Sequence, residues 1–282
     1  WNIGRYVISA IDKVGDKPTT EPISTLPDSW IWARMKQVVN NVNDLFENFQ
    51  FGEAGRQIYE FLWNDFADWY IEISKRQLAQ GGSRAYFTAF GLARVLDTML
   101  RLLHPYTPFV TEALWDYLKE ACIAVGLPAG PRSGWEEALI VARWPDRYAM
   151  DHWDDEFIKD FGLIQDIVRG IRNLRSEYKI APARKLEAVL VSENLQILLE
   201  SQKLVICDLA GLEEEETQIY THKPNNLEGM VSLVVNEVEV YLNIAGGGDD
   251  EAERARLEKE LQELESQVAR LEALLAGPFA QK

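Results

Sequence analysis

The chain has 282 residues, of which 47% are hydrophobic and 26% charged, a composition typical of a folded protein. Its formal net charge of −16 argues against a general polyanion binder, because phosphate contact needs clustered lysines and arginines. The two cysteines, Cys122 and Cys207, form no CxxC pair, which excludes a disulfide framework and a thiolate zinc site. We expect a cytoplasmic protein of two or three folding units with no membrane partner, because no apolar run reaches the length of a membrane span.

The first half of the chain has the periodicity of a helical bundle. Apolar residues recur at helical spacing over residues 28–121. Helix-breaking chemistry predicts a boundary at Phe51–Gly52 and another at 81–83, where Ser83 can cap the third helix. The prolines of His-Pro-Tyr-Thr-Pro, residues 104–108, predict a kink or break there.

One stretch inside the bundle, DFADWYIEISK at residues 65–75, mixes aromatics with charge. Trp69 and Tyr70 fall on the apolar stripe of the predicted helix, so we expect them in the core rather than on a base-stacking platform. The acids of the stretch share one side of an α-helix. Salt bridges to neighbouring helices are favoured there over a metal site.

A change of period marks a second region. An amphipathic helix is predicted from Phe157 to Tyr178, and after it the pattern predicts a strand at 186–192, a helix at 194–211 capped by Asn194, and a second strand at 217–223. Apolar alternation on both sides of Asn236–Glu237 predicts a β-hairpin. The remaining leucines, at residues 257–275, repeat at coiled-coil spacing and need a partner helix.

The predicted fold class is therefore mainly α: a helical bundle, a small α+β unit and a C-terminal coiled-coil helix. The predicted domains are a bundle at 1–150, a helix with the α+β unit at 151–246, and a coiled-coil arm at 247–282. We predict no catalytic residue and no metal ligand, because phosphate-binding loops, nucleophile elbows and zincin motifs are all missing from the sequence. A stand-alone enzyme is thus disfavoured.

A local basic edge is the best candidate for phosphate contact. Six of the residues at 169–185 are basic and only Glu177 is acidic. On a helix Arg169, Arg172, Arg175 and Lys179 fall within an arc of roughly 120° beside the apolar stripe, so one edge can present cations to phosphates. A solvated face paired to acidic neighbours is the alternative.

Several segments, in this order and spacing, resemble the C-terminal part of valyl-tRNA synthetases. They are FGEAGRQIYEFLWNDFADWYIEISK, RLLHPYTPFVTEALW, ARWP, IRNLRSEYKIAP and a glycine-joined heptad helix ending in GPFAQK. The resemblance implies an anticodon-binding bundle, a small following domain, and an arm that touches the outer corner of tRNA. It also implies valine tRNA and the enzyme's own catalytic domain as partners, and both chain ends as cut points within a longer protein.

The HIGH and KMSKS signatures of class I aminoacylation are missing here, so we expect no valyl-tRNA synthesis by this chain alone and no cofactor within it. ATP and Mg²⁺ are implied only for the parent enzyme. A protein-interaction scaffold that dimerises through the 257–275 seam is the rival hypothesis. Bases of an anticodon loop are unpaired, so stacking and backbone contacts should bind them. The predicted tRNA contacts are Trp30, as a stacker, with Arg34, Lys36, Arg172, Arg175 and Lys179.

Overall fold

A computed structural model describes residues 1–15, 17–130, 134–227 and 229–244. The chain divides into two compact units, Trp1–Gln165 and Asp166–Lys282. The first unit is built from helices, which confirms the predicted bundle. These are α1 (Asn2–Ile11), α2 (Leu26–Glu47), α3 (Phe51–Glu60), a π-helix (Phe61–Ile71), α4 (Glu72–Ala79), α5 (Gly82–Leu103), α6 (Pro108–Ala124), a short 3₁₀ turn (Leu139–Val141) and the start of α7 (His152–Glu177).

The helix boundaries follow local chemistry. Helix α2 begins with a capping box. The backbone amide of Asp28 donates a hydrogen bond to the Thr25 hydroxyl, and the backbone amide of Thr25 donates one to the Asp28 carboxylate. The proline-rich segment 104–107 separates α5 from α6 as predicted. The predicted capping role of Ser83 is wrong. Helix α5 begins at Gly82, and its N-cap is Gly81, two residues before Ser83, at φ 69°.

The π-helix is the feature of the bundle that the sequence did not predict. It runs for 11 residues, whereas most π-helices are single turns. Its wider winding replaces the α-helical spacing on which the sequence argument about residues 65–75 relied. Asp65 forms an ion pair with Arg34 on α2, while Glu72 pairs with Lys75. Salt bridges therefore occupy two of the three acids.

Aromatic side chains fill the centre of the first unit. Trp69 and Tyr70 are buried, which confirms their predicted place in the core. The Tyr70 hydroxyl donates to Asp28 Oδ1 at 3.0 Å, and the ring of Trp69 meets Phe161 edge-on at 6.2 Å. Burial and Asp28 raise the pKa of Tyr70, so its hydroxyl stays protonated and remains a donor.

Helix α7 crosses the division between the units. The predicted seam lay at residues 150/151, whereas the contacts divide the chain at 165/166, inside this helix. Its first half packs in the bundle, where Phe161 is fully buried. Its second half belongs to the other unit, where the missing side chain of Gly170 leaves room for Leu233. A single amphipathic helix thus serves two cores, which local sequence patterns do not reveal.

The second unit contains a four-stranded mixed sheet. Its elements are β1 (Leu186–Val191), α8 (Gln196–Ala210), β2 (Leu212–Tyr220), β3 (Val231–Val235) and β4 (Val238–Leu242). The strand order is β2-β1-β4-β3. Strands β1 and β2 are parallel and joined through α8, and β4 pairs antiparallel with β1 and β3. This arrangement confirms the predicted α+β unit, with its hairpin turning at Asn236, φ 50°.

Two local predictions in this unit are corrected. Asn194 does not cap α8, whose N-cap is Leu195; its amide instead lies 3.5 Å from Glu237. Strand β2 begins at Leu212 rather than at 217, because Leu212 pairs with Leu186 of the buried β1. The acidic block at 213–216 lies in a register irregularity between that pair and the pair Ala188–Thr217. The predicted coiled-coil arm, 247–282, lies outside the described residues. Among the helices of the described ranges, none has the length and apolar content to cross a membrane.

Candidate nucleic-acid interface

The predicted stacker, Trp30, is a core residue. It is 1% exposed, and its ring lies 4.2 Å from that of Phe161. A stacking platform needs an accessible ring face. This conformation therefore gives no support to base stacking by Trp30, and the apolar periodicity of α2 explains its position.

Arg34 and Lys36 both lie in ion pairs. Arg34 Nε donates to Asp65 at 3.0 Å, and its guanidinium also bonds Gln37. Lys36 Nζ contacts both oxygens of the buried Asp154, at 2.8 and 3.0 Å. Because a buried carboxylate needs a cation, Lys36 has a structural role that its position in the sequence does not show. Contact of either residue with tRNA stays a prediction.

The predicted basic edge of α7 is used largely for carbonyl binding. Arg175 is 7% exposed, and its guanidinium donates to the carbonyls of Gly211, Ala181 and Arg184 at 2.7, 3.2 and 2.7 Å. Burial lowers the pKa of Arg175 most, and the positive charge of the nearby Arg184 lowers it further. Arg172 remains exposed while its Nε donates to the carbonyl of Leu209 at 2.8 Å. Arg175 thus joins three chain segments rather than facing solvent.

Lys179, by contrast, is exposed where α7 ends. It adopts φ 52°, and the amide of Ile180 bonds back to the carbonyl of Arg175 at 2.9 Å, so the helix closes with a left-handed residue. Of the six predicted contacts, three lie in the first unit and three in the second. Arg172 and Lys179 stay exposed, as does Arg169, which pairs with Asp166.

A cluster of aromatic residues at the junction of α2 and α3 was not predicted as a site. We call it the aromatic corner. It consists of Phe46, Phe49, Phe51, Tyr106 and Trp144, with the ring of Phe46 at its centre. Phe46 lies 5.2 Å from Phe51, 6.3 Å from Tyr106 and 4.9 Å from Trp144. Phe49 adds a further ring, 6.1 Å from Phe51. Phe49 is 80% exposed and Phe51 46% exposed, so large aromatic faces meet solvent here.

Hydrogen bonds hold the corner in place. The Tyr106 hydroxyl donates to the carbonyl of Phe51 at 2.5 Å, and its ring lies over Gly55, where a Cβ would come within 3.0 Å of it. Trp144 Nε1 donates to Asn43 Oδ1 at 3.0 Å. The rings are therefore presented by a fixed scaffold, which lowers the entropy cost of binding a planar ligand.

Phe49 carries backbone strain as well as exposure. It has φ 57°, in the left-handed region that glycine and asparagine usually occupy. The end of α2 explains this conformation, because the amide of Gln50 bonds back to the carbonyl of Leu45 at 2.8 Å and Phe49 closes the helix as a left-handed residue. A phenylalanine is an unusual residue at such a position. Its side chain is exposed, so its ring is a candidate for ligand contact.

The charges around the corner are paired. Arg147 bonds Glu47 at 2.9 Å and also contacts Asp44; the hydrogen bonds with these carboxylates raise its pKa. On α3, hydrogen bonds from Arg56 and then Gln57 lower the pKa of Glu53 to about 2. The carboxylate of Glu53 therefore remains ionised at neutral pH. The corner offers apolar rings bordered by fixed charges of both signs.

The sequence did contain a signal for the corner. Residues 46–51 read FENFQF, which places three phenylalanines around a helix boundary, but the boundary alone was recognised. Helical periodicity assigns aromatics to a core by default, and a loop lies outside that pattern. Three aromatics at a predicted loop are the cue for exposed rings.

Comparison with known proteins agrees with this interpretation. Residues 28–190 match the family described as the anticodon-binding domain of tRNA ligase. The chain is 36% identical to a valine–tRNA ligase of Dehalococcoides mccartyi, covering 98% of this chain and 30% of that protein. It is 32% identical to the Thermotoga maritima valine–tRNA ligase, over 98% and 29% of the two chains. The Arabidopsis thaliana chloroplastic/mitochondrial valine–tRNA ligase 2 is 31% identical, over 100% and 29%.

The chain spans about 30% of the length of these relatives. The family match covers the helical bundle from α2 onward together with α7, and it ends within β1. More than half of the chain lies inside the matched range, which includes every ring of the aromatic corner. The chain belongs to the anticodon-binding domain family of tRNA ligases.

Proposed function

We propose that this chain is the tRNA-binding part of a valine–tRNA ligase, and that its aromatic corner binds unpaired bases of the anticodon loop. The observation that carries the proposal is the exposed ring of Phe49 beside that of Phe51, inside the range that matches the anticodon-binding family. Sequence-specific RNA binding targets unpaired bases, which stack on aromatic side chains. A fixed group of exposed rings suits that chemistry.

The acidic composition fits binding of this kind. With a net charge of −16, long-range attraction of a polyanion is weak, so affinity has to come from local contacts. Stacking contributes about 1–3 kcal/mol per base. Because it neutralises no phosphate and releases no counterion, this part of the affinity should depend little on salt. Lys179 and Arg172, exposed at the α7 edge, are the proposed phosphate contacts of the second unit.

The proposal extends to the reaction of the longer relatives. In a valine–tRNA ligase the amino acid is attached to tRNA at the cost of ATP, and we place that chemistry and its Mg²⁺ outside this chain. Support comes from the sequence, which carries neither the HIGH nor the KMSKS signature. The role proposed for this chain is to select and hold the tRNA.

The rival scaffold hypothesis has weaker support. Its leucine seam at 257–275 lies outside the described residues, whereas the tRNA-ligase family match covers residues 28–190. The same match predicts RNA contact rather than dimerisation. Measurement of the oligomeric state in the binding experiment below separates the two hypotheses.

The proposal is tested by titrating the 282-residue chain with full-length valine tRNA and a non-cognate tRNA at two salt concentrations. We expect tighter binding of the valine tRNA. Phe49→Ala and Phe51→Ala should each weaken it about fivefold to a hundredfold, the range for loss of one stacked base. Tyr117→Ala is the matched control, because this tyrosine is 54% exposed on α6, outside the corner. Binding that ignores both phenylalanine substitutions would disprove the corner as the anticodon site.

A further inference from the structure

A second pair of exposed rings follows the aromatic corner along the chain, with Tyr59 near the end of α3 and Trp63 at the start of the π-helix. Tyr59 and Trp63 are 61% and 55% exposed, and their rings lie 6.3 Å apart with planes only 6° from parallel. They stand four residues apart, which places them on one side of the helix. We propose that Tyr59 and Trp63 form a second stacking site, for unpaired bases of the same tRNA next to those at the corner. This inference rests on the proposed function.

The two sites follow one another along the chain. Arg56, Tyr59 and Trp63 are exposed at spacings of three and four residues and so share one side of the helix, whereas Phe51 lies about 80° around the axis from Tyr59. At 1.5 Å per residue, Tyr59 lies about 12 Å beyond Phe51 along the helix axis. That distance is on the order of three or four stacked nucleotides, at roughly 3.4 Å each. A single strand leaving the corner can therefore reach the second pair as it turns partly around α3.

Arg56 lies between the two sites and is fixed in position. Its guanidinium bonds Glu53 and Glu60 on the same helix, and these hydrogen bonds raise its pKa. Because the two carboxylates balance its charge, the Arg56 guanidinium is better suited to stack its flat face on a base than to bind a phosphate. Binding at Tyr59 and Trp63 should therefore come from stacking and depend little on salt.

The surroundings of the pair favour bases over a protein partner. The exposed or half-exposed residues beside the rings are mostly polar, namely Arg56, Glu60 and Asn64, with the half-exposed Leu62 next to Trp63. Protein-binding surfaces have a well-packed apolar centre from which charged residues are depleted. Two parallel aromatic faces among polar groups match the composition of a single-strand binding surface.

The test compares binding of a full-length valine tRNA transcript and of its isolated anticodon stem-loop by the 282-residue chain. Trp63→Ala and Tyr59→Ala should each weaken binding about fivefold to a hundredfold, by a similar factor at low and high salt. Trp63→Phe and Tyr59→Phe keep a ring and should restore most of the affinity. Trp153→Ala is the matched control, because Trp153 is also 55% exposed but lies on α7.

A 2-aminopurine substitution at each unpaired position around the anticodon identifies the base. Quenching that vanishes in Trp63→Ala, but persists in Phe49→Ala, would assign that base to the second site. If tRNA binds and depends on Phe49 while both alanine variants at the second pair bind normally, this inference is overturned and the proposed function stands. If tRNA does not bind the unsubstituted chain, the proposed function itself fails. If the alanine variants of Tyr59 and Trp63 bind tRNA normally but lose binding to another protein, the pair is a protein-docking surface instead.

Discussion

The core beside the π-helix and the aromatic corner both contain large aromatic side chains, but these are buried in the core and exposed at the corner. Trp69 and Tyr70 are buried and stabilise the bundle, and a hydrogen bond to Asp28 satisfies the one polar atom of Tyr70. Phe49 and Phe51 are exposed on the same bundle, and Phe49 retains a strained backbone. Residue type thus tells little about role, and burial with backbone strain tells much more.

The second unit shows the same contrast among cations. Arg175 is buried and donates to carbonyls of two segments, Gly211 and residues 181–184, whereas Lys179, four residues later, is exposed. Stability and RNA affinity should therefore separate cleanly when buried and exposed members of each pair are replaced.

Replacement of Trp69 by alanine should have the largest effect. Truncation of a buried aromatic costs about 3–5 kcal/mol of unfolding free energy, because transfer and cavity terms add. Chemical unfolding in urea measures the loss. The exposed Trp153→Ala should change stability by about 0.5 kcal/mol or less. Unaltered unfolding of Trp69→Ala with weaker tRNA binding would reverse the assignment of roles.

Arg175→Ala should destabilise the second unit by about 2–3 kcal/mol, because buried carbonyls lose a charged donor. The matched change Lys179→Gln keeps a long polar side chain and should cost less than about 1 kcal/mol, mostly through the helix dipole. Hydrogen exchange of the β1 and β2 amides reports on this unit alone. Equal losses for the two variants would show that Arg175 does not act as a clamp.

Phe49→Gly should raise stability and lower RNA affinity together. Glycine occupies φ 57° without steric cost, so a gain of about 0.5–1 kcal/mol is expected. Phe49→Ala keeps the Cβ, and with it the strain, and should bring no such gain while weakening tRNA binding equally. Thermal unfolding and the tRNA titration measure the two quantities. A less stable glycine variant would show that the ring of Phe49 contributes to the fold.

The smallest effect concerns the thiol of Cys122. Burial, with a further contribution from Asp97, raises its pKa to about 12. At pH 8 only about one thiol in ten thousand is then ionised, since each pKa unit is a factor of ten. Alkylation by iodoacetamide should be very slow in the folded chain and fast in urea. Rapid modification of the native protein at pH 8 would show that the core opens readily at α6.

Much of the fold could be predicted from short-range patterns. The prolines at 105 and 108 end one helix and begin another, since they remove donors and fix φ. Gly211 ends α8 at φ 70°, and Asn236 turns the hairpin. These outcomes depend on a few neighbouring residues, and so the sequence alone is enough to predict them.

The candidate site could be predicted only in part. Periodicity correctly placed Trp69 in the core, but the same argument applied to Trp30 would have removed it from the predicted contacts. The π-helix was missed because local propensity favours α-helix, and only the tertiary contacts hold the wider winding. The exposed rings of the corner lie at a loop, where no periodic pattern applies.

The amino-acid sequence by itself determined the helical bundle, the α+β unit and the resemblance to a tRNA-binding family, because these depend on periodicity, turn chemistry and motif order. The tertiary structure decided which aromatic rings and which cations face solvent. Exposure and ion pairing depend on side chains distant in sequence: Arg34 meets Asp65, Lys36 meets Asp154, and Tyr106 covers Gly55. Such partners come together only when the chain is folded.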